Sequence, residues 1–196
     1  MRYCFDVCSG VQVVLERMVH APSYSAYELK SIAEKTTLSK LFADKRLRFN
    51  HQLHARYLAL NTLSLAGCKA LLEAKYSIAH TKKAAAFIWT FSESITTLGV
   101  DLEPKTRTLS PKALKFFSSE SDEVCDTNLV ALWCLKEAAF KCLDNFENKI
   151  NLKNISIKQI SQKRYIGQAA GMKCYCELIA NPSNYFLAIA WKNRCF

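Results

Sequence analysis

The sequence predicts an α+β fold, on three observations. Residues 75–104 hold short β-rich runs, "KYSIAHT", "AAFIWTF" and "TTLGVDLEP". One long apolar segment, "TNLVALWCLKEAAFKCL" at 127–143, has the length and period of a helix. Four more short runs follow, "ISIKQI", "KRYIGQAA", "KCYCELIA" and "YFLAIAWK", and read as strands joined by turns. With 196 residues, half of them apolar, the chain can build one good core or two small lobes that share an interface. A division near the acidic pair of "GVDLEP" makes residues 1–97 an N-terminal part and 98–196 a C-terminal part.

Residues 2–16 alternate well enough for a strand, and "ERMVHAPSYSAYELK" reads as a loop entering a helix near 25–35. "DKRLRFNHQLHARYLALNTLSLAG" is a helix in which Asp44 can cap, Leu53, Tyr57, Leu60 and Leu63 recur at helical spacing, and Gly67 ends the run. Arg46, Arg48 and Arg56 ride on it, and exposed, solvated side chains are the plain reading of each. Around 110–117, "SPKALKFF" opens a further helix with Ser110 as N-cap and Pro111 at the first helical position. The sequence shows no low-complexity tract, internal repeat or long flexible linker.

Lys and Arg outnumber Asp and Glu by 27 to 17. Residues 1–97 carry 13 basic and 7 acidic groups and residues 98–196 carry 14 and 10, so the excess is no basic tail. Such a surface favours anionic partners: nucleic acid, phosphorylated small molecules or an acidic protein. Nine cysteines form an odd set with no CxxC spacing, and four histidines are too few to suggest a zinc site. Buried, reduced thiols are the expectation, Cys174 and Cys176 packing on one strand face, and this points to the cytoplasm. No stretch approaches the twenty or so apolar residues of a membrane span, and Asp6 interrupts what would be a signal peptide's apolar region. A soluble, unexported protein without a membrane partner is expected.

In an extended chain Leu98, Val100 and Leu102 share one face of "LGVDLEP", and Gly99, Asp101 and Glu103 share the other. Two carboxylates about 6 to 7 Å apart repel by roughly 2 to 3 kcal/mol at an effective dielectric near 20, so a positive centre is wanted between them. The plain alternative is a wet face. On the helix at 127–143 the only charges are Lys136, Glu137 and Lys141, and no arc of the wheel is free of apolar residues. Such a helix is buried and its charges need specific partners. A Glu137–Lys141 pair at i,i+4 leaves Lys136 unexplained. Asp101, Glu103 and Glu137 converging on a hard cation such as Mg2+, with the lysines meeting phosphate oxygens, explains all of them.

"GVDLEP" (99–104), "FFSSES" (116–121) and "WCLKEAAFK" (133–141) together resemble the 4'-phosphopantetheinyl transferase superfamily, with its G-(V/I)-D-(I/L)-E and W-x-x-K-E-A-x-x-K motifs in this order. "YSIAHT" (76–81) is similar to that family's S-x-S-H-(T/S) segment, and "RLRFNHQLHARYLAL" to its arginine-bearing helix. The resemblance spans roughly residues 45–145; "GCKALLEAKY" departs from it where the family often has G-(K/R)-P. It implies transfer of the phosphopantetheine arm of coenzyme A, the co-substrate, to a serine of an acyl or peptidyl carrier protein, releasing 3',5'-ADP. Asp101, Glu103 and Glu137 would bind Mg2+. Lys136 and Lys141 would stabilise phosphate charge, His80 would contact a phosphate of coenzyme A, and Arg46 and Arg56 are candidates for its 3'-phosphate. The family's single-chain members imply two similar α+β lobes related by a pseudo-twofold, with the active cleft between them. A monomer is expected.

The reaction implied is in-line attack of the carrier serine on phosphorus, so positioning and charge neutralisation dominate. Asp101, Glu137 and Lys141 form the expected catalytic set, Glu137 as base and Lys141 aiding departure of the ADP. Two rivals stand beside it. A magnesium-dependent nuclease would use Asp101, Glu103 and Lys105, but Pro104 interrupts the E-x-K strand and the charged helix goes unused. A non-catalytic nucleic-acid binder accounts for the +10 net charge and not for the carboxylates. The favoured reading has no nucleic-acid partner.

Overall fold

The computed structural model of the chain describes residues 2–6, 11–17, 55–56, 58–59, 62, 74–124, 128–143, 150–179 and 184–194. They form two compact units, Met1–Ser92 and Glu93–Phe196. Both strands and helices are present, an α+β chain.

The first unit holds β1 (Arg2–Asp6), β2 (Gln12–Arg17), β3 (Lys75–His80) and β4 (Ala84–Thr90) in an antiparallel sheet of order β1-β2-β4-β3. The single strand expected over 2–16 is thus two paired strands, and the Ser9-Gly10 pair in the sequence between them favours reversal over continuation. All seven residues of β4 are buried, as befits a strand paired on both edges. Thr81 closes the β3–β4 connection by accepting the amide of Ala84 at 3.0 Å. Within the helix expected at 44–67, Ala55, Arg56, Leu58, Ala59 and Thr62 are helical, and Ala55, Leu58 and Ala59 pack with Val14, Phe87 and Trp89. The stripe Leu53, Tyr57, Leu60 and Leu63, the helix near 25–35, Arg46, Arg48 and most of "GCKALLEAKY" lie outside the described residues.

The second unit runs β5 (Ile95–Pro104), α1 (Pro111–Phe117), α2 (Leu129–Leu143), a 3-10 turn (Leu152–Asn154), β6 (Ser156–Gln159), β7 (Arg164–Ala169), β8 (Met172–Ile179) and β9 (Tyr185–Asn193). Its antiparallel sheet has the order β5-β9-β8-β7-β6, which leaves β5 on an edge. Ser110 caps α1 by accepting the Ala113 amide at 3.2 Å, and Asn128 accepts the Val130 amide at 2.8 Å at the start of α2. Ala170 (φ 49°) and Gly171 (φ 75°) make the two-residue β7–β8 turn.

Helix α2 packs on one face of this sheet. Its Cys134, Leu135, Ala138, Ala139 and Cys142 meet Cys174, Cys176, Ala188 and Ala190, small groups that permit a close approach. The closest approach is at Gly99. An added Cβ there would overlap the carbonyl oxygen of Ala138 and stand 2.9 Å from the amide nitrogen of Cys142. Cys134, Cys142, Cys174 and Cys176 are free, buried thiols, and burial pushes the Cys134 and Cys142 thiols well above their usual pKa. Among the described residues no helix is long and apolar enough to cross a membrane.

Candidate functional site

Because Gly99 lies against α2, the alternation of β5 sends Asp101 and Glu103 to the same side of the sheet. The strand runs opposite to the helix: Gly99 sits by Ala138 and Cys142, whereas Glu103 meets Trp133, whose indole N–H donates to Glu103 Oε1 at 3.1 Å. Glu137 lies between these two contacts along α2. The Asp101 charge raises the pKa of both Glu103 and Glu137, so the three acids feel one another.

Each carboxylate is held differently. Asp101 is only 8 % exposed; its Oδ1 accepts Lys141 Nζ at 3.0 Å, and its Oδ2 is buried with no hydrogen-bond partner. Lys141 also donates to the Val100 carbonyl at 2.8 Å, which ties the helix to the edge strand. Glu103 Oε1 takes a second bond from Arg107 Nη1, and the Arg107 guanidinium lies 5.0 Å from the Trp133 ring centroid. Glu137 makes no hydrogen bond or ion pair among the described residues. Burial lifts the Glu103 carboxyl most, then Asp101, against the opposing pull of Arg107 and Trp133. Burial also leads for Glu137, followed by Asp101, with Lys141 and Arg107 opposing.

Three carboxylates therefore face two cations, and one buried oxygen is orphaned. That donor set, all oxygen and in excess of its counter-ions, suits a hard divalent ion. Among the described residues no group of three or more His, Cys, Asp or Glu side chains is arranged to hold a metal. Arg107 pairs with Glu103, and Lys141 with Asp101.

Lys136 requires a correction. It is 0 % exposed, and Nζ is used up on Asp122 Oδ2 at 2.7 Å and on the carbonyls of Phe117 and Ile155, each at 2.7 Å. A phosphate cannot reach it in this arrangement. The lysine instead ties α2 to the end of α1 and to the segment before β6. Burial lowers its pKa and Asp122 pulls it back up. The plain alternative, an i,i+4 pairing of Glu137 with Lys141, is absent too, since the Lys141 ammonium reaches across to β5.

In the first unit His80 ends β3, half-buried, and Arg56 is half-buried on its helix within electrostatic reach of Tyr76. Lys105, the nuclease candidate, is exposed beyond the end of β5 with Nζ 5.7 Å from the Phe186 ring centroid. Arg107, not Lys105, meets Glu103.

Sequence reasoning overlooked three participants. Trp133 reads as packing, and it does meet Phe117 edge-on at 5.0 Å, but it also bonds Glu103. Arg107 sits four residues after Glu103, beyond a proline, where no regular period links the two. It reaches back because the Arg107 amide closes a turn on the Pro104 carbonyl at 2.9 Å. Asp122 had one indirect signal: a lysine in an apolar helix needs an acid, though only the fold says which.

The model of the 4'-phosphopantetheinyl transferase superfamily matches residues 97–190, a span that holds most of β5, the whole of α2, β6 to β8 and most of β9. No curated protein matches the chain.

Proposed function

Since residues 97–190 match the model of the 4'-phosphopantetheinyl transferase superfamily, we propose that the chain transfers the phosphopantetheine group of coenzyme A to a serine of an acyl or peptidyl carrier protein and releases 3',5'-ADP. The observation that carries this reading is the face shared by Asp101, Glu103 and Glu137 inside the matched span, with Asp101 Oδ2 buried and unpartnered. On this reading residues 1–97 and 98–196 correspond to the two lobes of the family's single-chain members.

Asp101, Glu103 and Glu137 would hold Mg2+, the orphaned Oδ2 being the first oxygen free to do so. When bound, that ion supplies positive charge beside the pyrophosphate. Glu137, whose carboxyl burial raises, suits a base that takes the serine proton during attack on phosphorus. Lys141 has its side chain about a third exposed and can turn from Asp101 to the phosphate that leaves with ADP. His80, Arg56 and Arg46 are the proposed coenzyme A contacts from the first unit. Lys136 takes no part in binding; it fixes the helix that presents Glu137 and Lys141. The protein would work in the cytoplasm as a monomer, and its positive surface suits the acidic helix such carriers present.

The test is incubation with coenzyme A, Mg2+ and an apo-carrier protein, followed by intact mass. The carrier should gain one phosphopantetheine, and Glu137→Gln should slow that gain about 10²- to 10⁴-fold without unfolding the protein. A wild-type protein that leaves several apo-carriers unmodified, or a fully active Asp101→Ala variant in excess Mg2+, overturns the proposal.

A further inference from the structure

Among the described residues, Arg107 is the one cation at the acidic face that neither the family motifs nor the proposed chemistry uses. Its guanidinium carbon lies over the Trp133 ring, 5.0 Å from the centroid, and its Nη1 donates to Glu103 Oε1, the oxygen that also accepts the Trp133 indole N–H. One N–H of a five-donor fork is thereby engaged, and the side chain is 35 % exposed. Its charge reaches Glu137 as well as Glu103. Arg107 therefore supplies the positive charge beside Glu103 that a divalent ion would otherwise supply.

We propose that Arg107 is a further substrate-binding residue of this site, which pairs with Glu103 until a divalent ion takes that carboxylate, and then turns its guanidinium to a phosphate of the incoming anion. The inference rests on the proposed function, and it deepens that reading by making uptake of the ion and of the phosphate interdependent. Two like charges cannot both sit on Glu103 at low cost, so the bare ion competes with Arg107. A phosphate arriving with the ion relieves the competition, because a guanidinium matches phosphate oxygens as well as carboxylate oxygens. Trp133 serves as the surface on which the guanidinium moves between the two.

Opposite signs make the idea testable. In Arg107→Gln, Mn2+ alone, followed by the loss of its free-ion paramagnetic resonance signal, should bind about fivefold to tenfold tighter, since a repelling charge is gone. In the same variant coenzyme A, titrated calorimetrically in saturating Mg2+, should bind about tenfold weaker or more, the usual scale for one lost charge-assisted pair. General damage to the fold would weaken both. Arg107→Lys should keep the metal affinity of wild type and recover part of the coenzyme A affinity. Weaker or unchanged Mn2+ binding in Arg107→Gln, or unchanged coenzyme A affinity, overturns the inference. The carrier-modification assay on wild-type protein separately decides the underlying function: a protein that modifies carriers yet shows no opposed shifts keeps its function and loses this role for Arg107.

Discussion

Lys136 is a buried cation whose three hydrogen bonds all go to protein groups, so its value is a difference between large terms. Its ammonium gives up water, and Asp122 and two carbonyls replace the lost solvation. Asp122 is braced in turn, its Oδ1 accepting the Ile157 amide at 3.0 Å and its Oδ2 the Ser119 amide at 2.9 Å. Lys136→Met keeps the volume but strands a buried carboxylate and two carbonyls, and should lower stability by about 3 to 5 kcal/mol in urea unfolding. Adding Asp122→Asn should recover part of that loss. If Lys136→Met unfolds like wild type but binds coenzyme A poorly, the lysine is a ligand contact after all. Chemical type was legible at this scale: an acidic pair on a strand and three charges on an apolar helix announced that partners were needed. Which partner each would choose was not, because Asp122 and Arg107 come to their places only through the packing of α1, the β5 turn and α2.

At the scale of elements, the helix at α2 was legible from length and apolar content, and β5 to β9 from short runs bounded by turns. Periodicity failed where turn chemistry decides, as in the hairpin of β1 and β2, since alternation continues in register through a break that only Ser-Gly marks. The glycine of "GVDLEP" carried no visible reason in the sequence. In the structure it is where strand and helix backbones meet. Gly99→Ala must push α2 away from β5, and overpacking of this kind costs about 1 to 3 kcal/mol. Displacing Glu137 and Lys141 from Asp101 should also cut carrier modification about 100-fold, because an error near 1 Å is enough to do so. Stability should be read by thermal melting and activity by intact mass; an active Gly99→Ala protein would show that the contact is not needed for positioning.

For the molecule as a whole, the net charge of +10 is distributed along the chain. An acidic carrier would be drawn to it by long-range attraction that salt screens, with a Debye length near 10 Å at 0.1 M. The KM for carrier should therefore rise several-fold between low salt and about 0.5 M, with kcat nearly level, since the charges around Asp101 are buried or half-buried and screened less. A kcat that falls in step with binding would place the salt effect in the site itself. The α+β class follows from the sequence pattern, and the superfamily match covers only residues 97–190, the part whose motifs were specific. Upstream, the arginines and the histidine segment carried a weaker pattern, since a basic amphipathic helix looks alike whether it greets water or an anion.

The bare α-carbon of residue 99 has one more effect. Two main chains that touch have no rotamers to slacken between them, so the distance from β5 to α2 is set by the stiffest parts of the molecule. Swapping aliphatic groups elsewhere beneath the helix should soften the interior long before it alters the gauge at which the carboxylates stand.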